Sequence, residues 1–320
     1  MISVDDVTKG RLLGEGMGGS VWSAVGPKKE KYALKIEKTI YKKASPEVKF
    51  SLEFANAYPE QFQFLYGYDV IKCDIPINNK QKRNFKSLPP HVKKRIEKKL
   101  KSNYCERKLY TRVNGDAFTI IKRIRSKKTL AYSYALQVLN IIYILKINGY
   151  SHNDLHLHNI GYIRTTKTHI TSHTVPAYEI PTFGYHFIAL DFGNVSKLDP
   201  NSTKCRINND LRRSITRLVY YEDGTKLYHT VGSSMVKNFT FIKNLYQIKT
   251  EYNKGDSQRN DDYGYLYQLL FTKQYCEING FPYQKLKTPI DVVDIVYMLQ
   301  YKDDLKSLIQ FFFHRLNELL

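Results

Sequence analysis

Tyr150-Ser151-His152-Asn153-Asp154-Leu155-His156-Leu157-His158-Asn159-Ile160 is the stretch on which the fold turns. It follows a run, Thr129 to Asn148, whose apolar positions Leu130, Tyr134, Leu136, Leu139, Ile142, Tyr143 and Leu145 predict a long, mostly buried helix ended by Asn148-Gly149. The polar loop after such a helix supplies Asp154, a carboxylate able to accept the proton of an attacking hydroxyl. It then supplies Asn159, whose amide oxygen suits Mg²⁺. Two plainer readings compete: a polar helix-to-strand loop, and a transition-metal site built on the histidines. His152, His156 and His158 stand at i, i+4 and i+6 in a loop, a spacing with no fixed common face.

Working outward, Ile188-Ala189-Leu190-Asp191-Phe192-Gly193 predicts an apolar strand that ends in a carboxylate, an apolar anchor and a residue free to reverse the chain. Asp191 is the second candidate Mg²⁺ ligand. Near the N-terminus, Gly14-Glu15-Gly16-Met17-Gly18-Gly19-Ser20-Val21 fits G-x-G-x-x-G-x-V, a hairpin whose bare backbone can lie over a triphosphate. By itself that spacing is also a plain tight hairpin. Strands flank it, and Tyr32-Ala33-Leu34-Lys35-Ile36 follows as a third strand carrying Lys35 toward the phosphates.

A helix is predicted over 46–58, opened by Pro46 and carrying Val48, Leu52 and Ala55 at helical spacing. Glu53 on that helix is the expected partner that holds Lys35 extended, with Glu47 as its rival. Phe62 to Ile77 reads as one or two further strands and Tyr104 to Val113 as another. Between them, Pro89-Pro90 opens a helix with only a thin apolar stripe, in a basic insert over 78–103.

Four motifs in this order, each on the right kind of element, resemble the protein-kinase superfamily from about Leu12 to Asp210. The resemblance implies an α+β, two-lobed protein-kinase-like fold, with a small β-rich N-lobe over 1–113 and a larger, mainly helical C-lobe over 114–320. It implies ATP and Mg²⁺ as cofactors, with Gly14, Gly16, Gly19, Val21 and Lys35 touching nucleotide, Asp154 as catalytic base, and Asn159 and Asp191 on the metal. Thr111 to Gly115 looks like the hinge for adenine, which makes Thr111, Val113 and Asp116 candidate nucleotide contacts.

The pattern also departs from the family. Asn153 stands where many regulated kinases carry arginine, and His156 where serine/threonine kinases carry lysine, a feature closer to small-molecule kinases. The segment Thr165 to Gly184 reads as an extended hairpin or loop inserted beside the site, and Asp210 as the start of the large lobe's central helix. The Tyr-, Lys- and Ile-rich composition and Phe54-Ala55-Asn56-Ala57-Tyr58-Pro59-Glu60-Gln61-Phe62 resemble the divergent kinases of large DNA viruses, of the iridovirus and poxvirus kind. That likeness implies a viral serine/threonine kinase acting on proteins, in host cytoplasm or virion.

The bulk numbers frame this reading. Fifty Lys+Arg against thirty Asp+Glu give a formal charge of +20, concentrated over Lys80 to Lys101 and again over Lys122 to Lys128. Such stretches suit a polyanion partner, nucleic acid or acidic protein, and equally a solvated face. The four cysteines, Cys73, Cys105, Cys205 and Cys276, show no metal spacing and read as ordinary half-buried thiols of a reducing, intracellular compartment. No run approaches the length of a membrane span. The competing functions are a small-molecule kinase of the same fold and a non-catalytic, polyanion-binding virion protein.

Overall fold

The protein, described here from a computed structural model, is mixed α+β. The structure describes residues 2–16, 19–73, 97–198 and 304–320, with shorter pieces at 93, 210–211, 214–215, 220–221, 286–287, 290, 294 and 298. The helix expected at Pro89-Pro90, most of the basic stretch over 80–101, the glycine-turn tip at 17–18 and most of the helical remainder lie outside these residues. The chain forms two compact units, Met1–Asn114 with Leu190–Asn194, and Gly115–Ala189 with Val195–Leu320.

The first unit is an antiparallel sheet of β1 (Thr8–Glu15), β2 (Gly19–Val25), β3 (Lys31–Thr39), β4 (Leu65–Lys72) and β5 (Tyr104–Thr111), in the order β1-β2-β3-β5-β4. Side chains alternate across a strand, so β3 feeds two cores. Tyr32 and Leu34 pack with Val4, Ala24 and Leu109 on one face, and Ala33 packs with Val48, Leu65 and Tyr110 on the other.

Helix α1 (Pro46–Glu53) covers the second face. Ser45 caps it by accepting from Val48 N–H, and Pro46 fills a first-turn position where a missing N–H costs nothing. The α-helix ends at Glu53 and a 3-10 turn, Ala55–Ala57, carries the helical stretch to the predicted 58; within it Asn56 turns its amide onto the backbone N–H and carbonyl of Leu65, at 2.8 and 2.9 Å. Phe54 and Phe62 then join Phe50 and Phe192 in an aromatic cluster that seats Leu190–Asn194 in this unit.

Cys73 and Cys105 are joined in a disulfide, which corrects their reading as free thiols. Their separation in sequence carries no signal. Antiparallel pairing of β4 with β5 sets Ile71 opposite Cys105 and brings the two cysteine Cα atoms to 5.6 Å, inside the range a disulfide spans.

The second unit opens with β6 (Gly115–Asp116), α2 (Ile121–Ser126) and α3 (Lys128–Ile147). After α3 come β7 (Tyr150–Ser151), β8 (Ile160–Arg164), β9 (His169–Thr171), β10 (Glu179–Pro181), β11 (Tyr185–Ala189) and β12 (Ser196–Lys197). Strands β11, β8 and β6 form one antiparallel sheet, β9 and β10 form the hairpin expected within 165–184, and β12 pairs with β7. The last helix, α4 (Leu305–Asn317), packs on α3 through Phe312 against Tyr132.

Helix α3 has the length and apolarity of a membrane span, yet 83% of its most apolar window is buried within the protein. It serves as a core helix. Gln137 on it donates to Tyr185 carbonyl at 3.1 Å and accepts from Phe187 N–H at 2.8 Å, which locks β11 to its flank.

Candidate functional site

In the first unit the geometry centres on Lys35. Strand register places Val21 and Lys108 on either side of Lys35, and sets Glu37 opposite Glu106. Like charges directly opposite repel, so this arrangement needs a further group to close it. Glu47 of α1 does so. Its Oε1 lies 2.9 Å from Lys35 Nζ, its Oε2 2.5 Å from Lys108 Nζ, and Tyr110 donates its hydroxyl to Oε1 at 3.2 Å.

This corrects the expected pairing of Lys35 with Glu53. Six residues along a helix turn the side chain by about 600°, so Glu53 stands on another face from Glu47, and it is exposed. Glu47 occupies the buried face that meets β3 and β5.

Lys108 is fully buried among Glu37, Glu47 and Glu106, and Lys99 also pairs with Glu37. Glu106 is completed by the backbone N–H and hydroxyl of Ser45, at 2.9 and 2.7 Å. Apart from Glu47, the rival to Glu53, these partners did not emerge from the sequence, although Glu37 two positions after Lys35 shares its strand face by the period-two rule. Burial works against the charge on Lys35, but Asp191, Glu37 and Glu47 around it hold its pKa well above the usual lysine value.

Asp191 enters this unit through Leu190–Asn194, 156 residues from Lys35, and its Oδ1 lies 2.8 Å from Lys35 Nζ. Lys35 holds the Asp191 carboxyl at about 2, the largest influence on it, so it is ionised at neutral pH. Its side chain remains 51% exposed. Asp191 sits at φ 58°, a left-handed conformation that Asp tolerates better than most residues.

Of the glycines, Gly19 is required by packing: a Cβ there would meet Ile36 carbonyl oxygen at 2.1 Å. Gly14 and Gly16 have open space where a side chain would be. At the expected hinge, Thr111 donates its N–H to Phe64 carbonyl and its own carbonyl accepts from Gln63 at 2.8 Å. Thr111 is thereby spent on its own sheet, and of the hinge residues Arg112 and Val113 have no backbone hydrogen bond among the described residues.

In the second unit, the loop after α3 is held by the carboxylate of Asp210, a helical residue. Its carboxylate accepts from Ser151 hydroxyl at 3.0 Å and from the N–H groups of His152, Asn153 and Leu155 at 2.9, 3.1 and 3.2 Å. Burial pushes the Asp210 carboxyl upward, against the pull of His152 and of these bonds. Asn153 takes φ 63°, and its amide donates to Ser196 hydroxyl at 3.1 Å, so this position uses a residue suited to the left-handed region.

The same loop presents Asp154, with His156 Nε2 at 3.7 Å from its Oδ1 and Asn159 Nδ2 at 3.4 Å from its Oδ2. His156 Nδ1 accepts from His158 N–H, which leaves Nε2 as the nitrogen carrying the proton in the neutral ring. Asp116 accepts from Thr119 N–H and lies 2.8 Å from His158 Nδ1. It therefore braces the loop through Thr119 and His158.

Asp191 in the first unit and the Asn159 amide oxygen in the second are each a hard oxygen donor of the kind Mg²⁺ takes from protein, beside phosphate oxygens and water. Each has an oxygen not committed to a protein partner among the described residues. No group of three or more His, Cys, Asp or Glu residues arranged for a metal occurs among the described residues. The chain matches no protein-family model and no characterised protein sequence.

Proposed function

We propose that the chain is a Mg-ATP-dependent phosphotransferase of the two-lobed protein-kinase type, which moves the terminal phosphate of ATP to serine or threonine hydroxyls of proteins. The observation that carries this is the meeting of Lys35 with Glu47 and Asp191 at 2.9 and 2.8 Å. A strand lysine held by a helix carboxylate, beside an ionised aspartate, is the equipment for gripping nucleotide phosphates and their metal.

Each unit contributes its own chemistry. In the first, Lys35 supplies a fixed cation for phosphate oxygens, Glu47 holds it extended, and Asp191 offers an exposed carboxylate oxygen. In the second, Asp154 accepts the proton of the attacking hydroxyl, and Asn159 offers its amide oxygen. Bound magnesium supplies charge neutralisation on the transferring phosphate. With His156 Nδ1 accepting, its Nε2–H is a donor where serine/threonine kinases carry the fully charged lysine. This favours a second acceptor class, small hydroxylated molecules.

The test pairs binding with transfer. Mg-ATP at a hundred times its Kd stabilises its binder by about 2.7 kcal/mol, and Lys35→Ala reduces that gain. With labelled ATP and mixed protein and small-molecule acceptors, Asp154→Asn keeps the stabilisation and loses transfer. Asp191→Ala loses both. A wild-type melting temperature unmoved by saturating Mg-ATP would overturn the proposal.

A further inference from the structure

Away from Lys35, the first unit carries a concavity of about 450 Å³ lined by Lys42, Lys43, Ala44, Lys49, Tyr68 and Val70. Lys42 and Lys43 come from the connection after β3, Lys49 from the exposed side of α1, and Tyr68 and Val70 from β4. Among the described residues none of these three ammonium groups has a carboxylate partner, and no acidic side chain lines the pocket. Asp69, between Tyr68 and Val70, points to the opposite face of the strand, where Arg107 holds it. Lys42 is further fixed by the ring of Tyr104, 5.9 Å away.

Three lysines lining one hollow with no carboxylate partner among the described residues repel each other, and an anion relieves that repulsion. The N-terminal end of α1, opening at Pro46 next to Ala44, adds a partial positive charge of the same sense. A phosphomonoester fits best: it carries close to two charges at neutral pH and three acceptor oxygens, one for each ammonium. The floor is firm, because Ala44 and Tyr68 pack against the buried core of Ala33, Val48, Leu65 and Tyr110.

The remaining walls decide the carrier. Tyr68, Val70 and Ala44 offer apolar surface beside the cations, which suits a side chain next to the phosphorylated residue. Among the described residues β4 is the edge of its sheet; Asn56 and Ile2 bond its start at Leu65 and Tyr66, and the stretch carrying Tyr68 and Val70 is where an extended peptide can run alongside. A nucleic acid strand, in contrast, needs cations spread along its backbone path.

We propose that this pocket binds a phosphorylated segment of a partner protein, with a phosphoserine or phosphothreonine on Lys42, Lys43 and Lys49 and a neighbouring apolar side chain on Tyr68 and Val70. The site does not depend on the chain transferring phosphate. Its occupant touches α1 at the end that carries Glu47, so binding also steadies that helix.

The test uses the full chain and a short labelled peptide with one phosphoserine between leucine and tyrosine, followed by fluorescence anisotropy. Two variants of equal charge loss are compared: Lys42→Ala/Lys43→Ala/Lys49→Ala, and Lys122→Ala/Arg123→Ala/Lys127→Ala around α2. All six residues are exposed, so both variants keep the fold. The pocket variant is expected to bind at least about tenfold more weakly, while the α2 variant and wild type agree within about twofold. The unphosphorylated peptide is expected to lose as much as the pocket variant does, and amide exchange over 46–53 to slow on binding.

Equal losses in the two variants, or equal binding of the unphosphorylated peptide, would reduce the pocket to diffuse surface charge. Unchanged exchange over 46–53 alongside tight binding would place the peptide elsewhere. If single-stranded DNA binds more tightly and depends on the same three lysines, the occupant is nucleic acid and the phosphopeptide assignment is wrong.

Discussion

Lys35 on β3 and Glu47 on α1 are joined at 2.9 Å, with the second oxygen of Glu47 held by the buried Lys108 at 2.5 Å. Breaking a buried pair by removing one partner leaves charge uncompensated and costs about 3–5 kcal/mol. Glu47→Gln is therefore expected to destabilise the first unit by about 3 kcal/mol or more. Glu53→Gln, at an exposed position on the same helix, should stay within about 0.5 kcal/mol of wild type. Urea denaturation of the two variants decides between the two glutamates directly.

Lys108 gives the sharper contrast with Lys35. It has no exposed surface and faces three carboxylates, whereas the Lys35 side chain is 19% exposed. Lys108→Met should cost about 3–5 kcal/mol and exceed the loss in Lys35→Met, although Lys108 is the one with no access to ligand. Equal or smaller loss at Lys108 would show that its three carboxylates are neutralised another way.

The same cluster sets the response to acid. The Asp191 carboxyl is held at about 2 and that of Glu37 well below its usual value, chiefly by Lys35 overcoming burial at Glu37. A carboxyl depressed in the folded state contributes stability above its unfolded pKa of about 4 and loses it as pH falls through the folded value. The contribution of these two carboxyls to the urea midpoint should thus be level above about pH 5 and decline between about 4 and 2. Asp191 is half exposed and screened by water, so Asp191→Asn should remove only part of that decline and Glu37→Gln more. Lys35 and Lys108 are shifted upward, so their contribution is complete below about pH 10 and is lost only above it.

The Cys73–Cys105 disulfide closes a loop whose ends are 32 residues apart, which on chain-entropy grounds contributes about 3–4 kcal/mol. Cys73→Ser/Cys105→Ser should lower stability by about that amount. Wild type treated with reductant should match the variant. Non-reducing peptide mass spectrometry checks the linkage itself.

Local patterns in the sequence determined a good deal. Apolar spacing over Thr129 to Asn148 located α3, and Pro46 located the start of α1. Turn residues at 14–19 and the apolar run ending in Leu190 marked β1–β2 and the segment carrying Asp191. These features depend on neighbours along the chain, so they are written in periodicity and punctuation.

Which charges meet was decided elsewhere. Lys108 opposes Lys35, Cys105 reaches Cys73, and Asp210 gathers the donors of the 151–155 loop because of strand register and packing between segments far apart in sequence. The choice of Glu47 over Glu53 turned on the face that α1 presents to the sheet. Pairing across a sheet and rotation of a helix on it are set by how whole surfaces bury together, and no single residue's neighbours along the chain encode them.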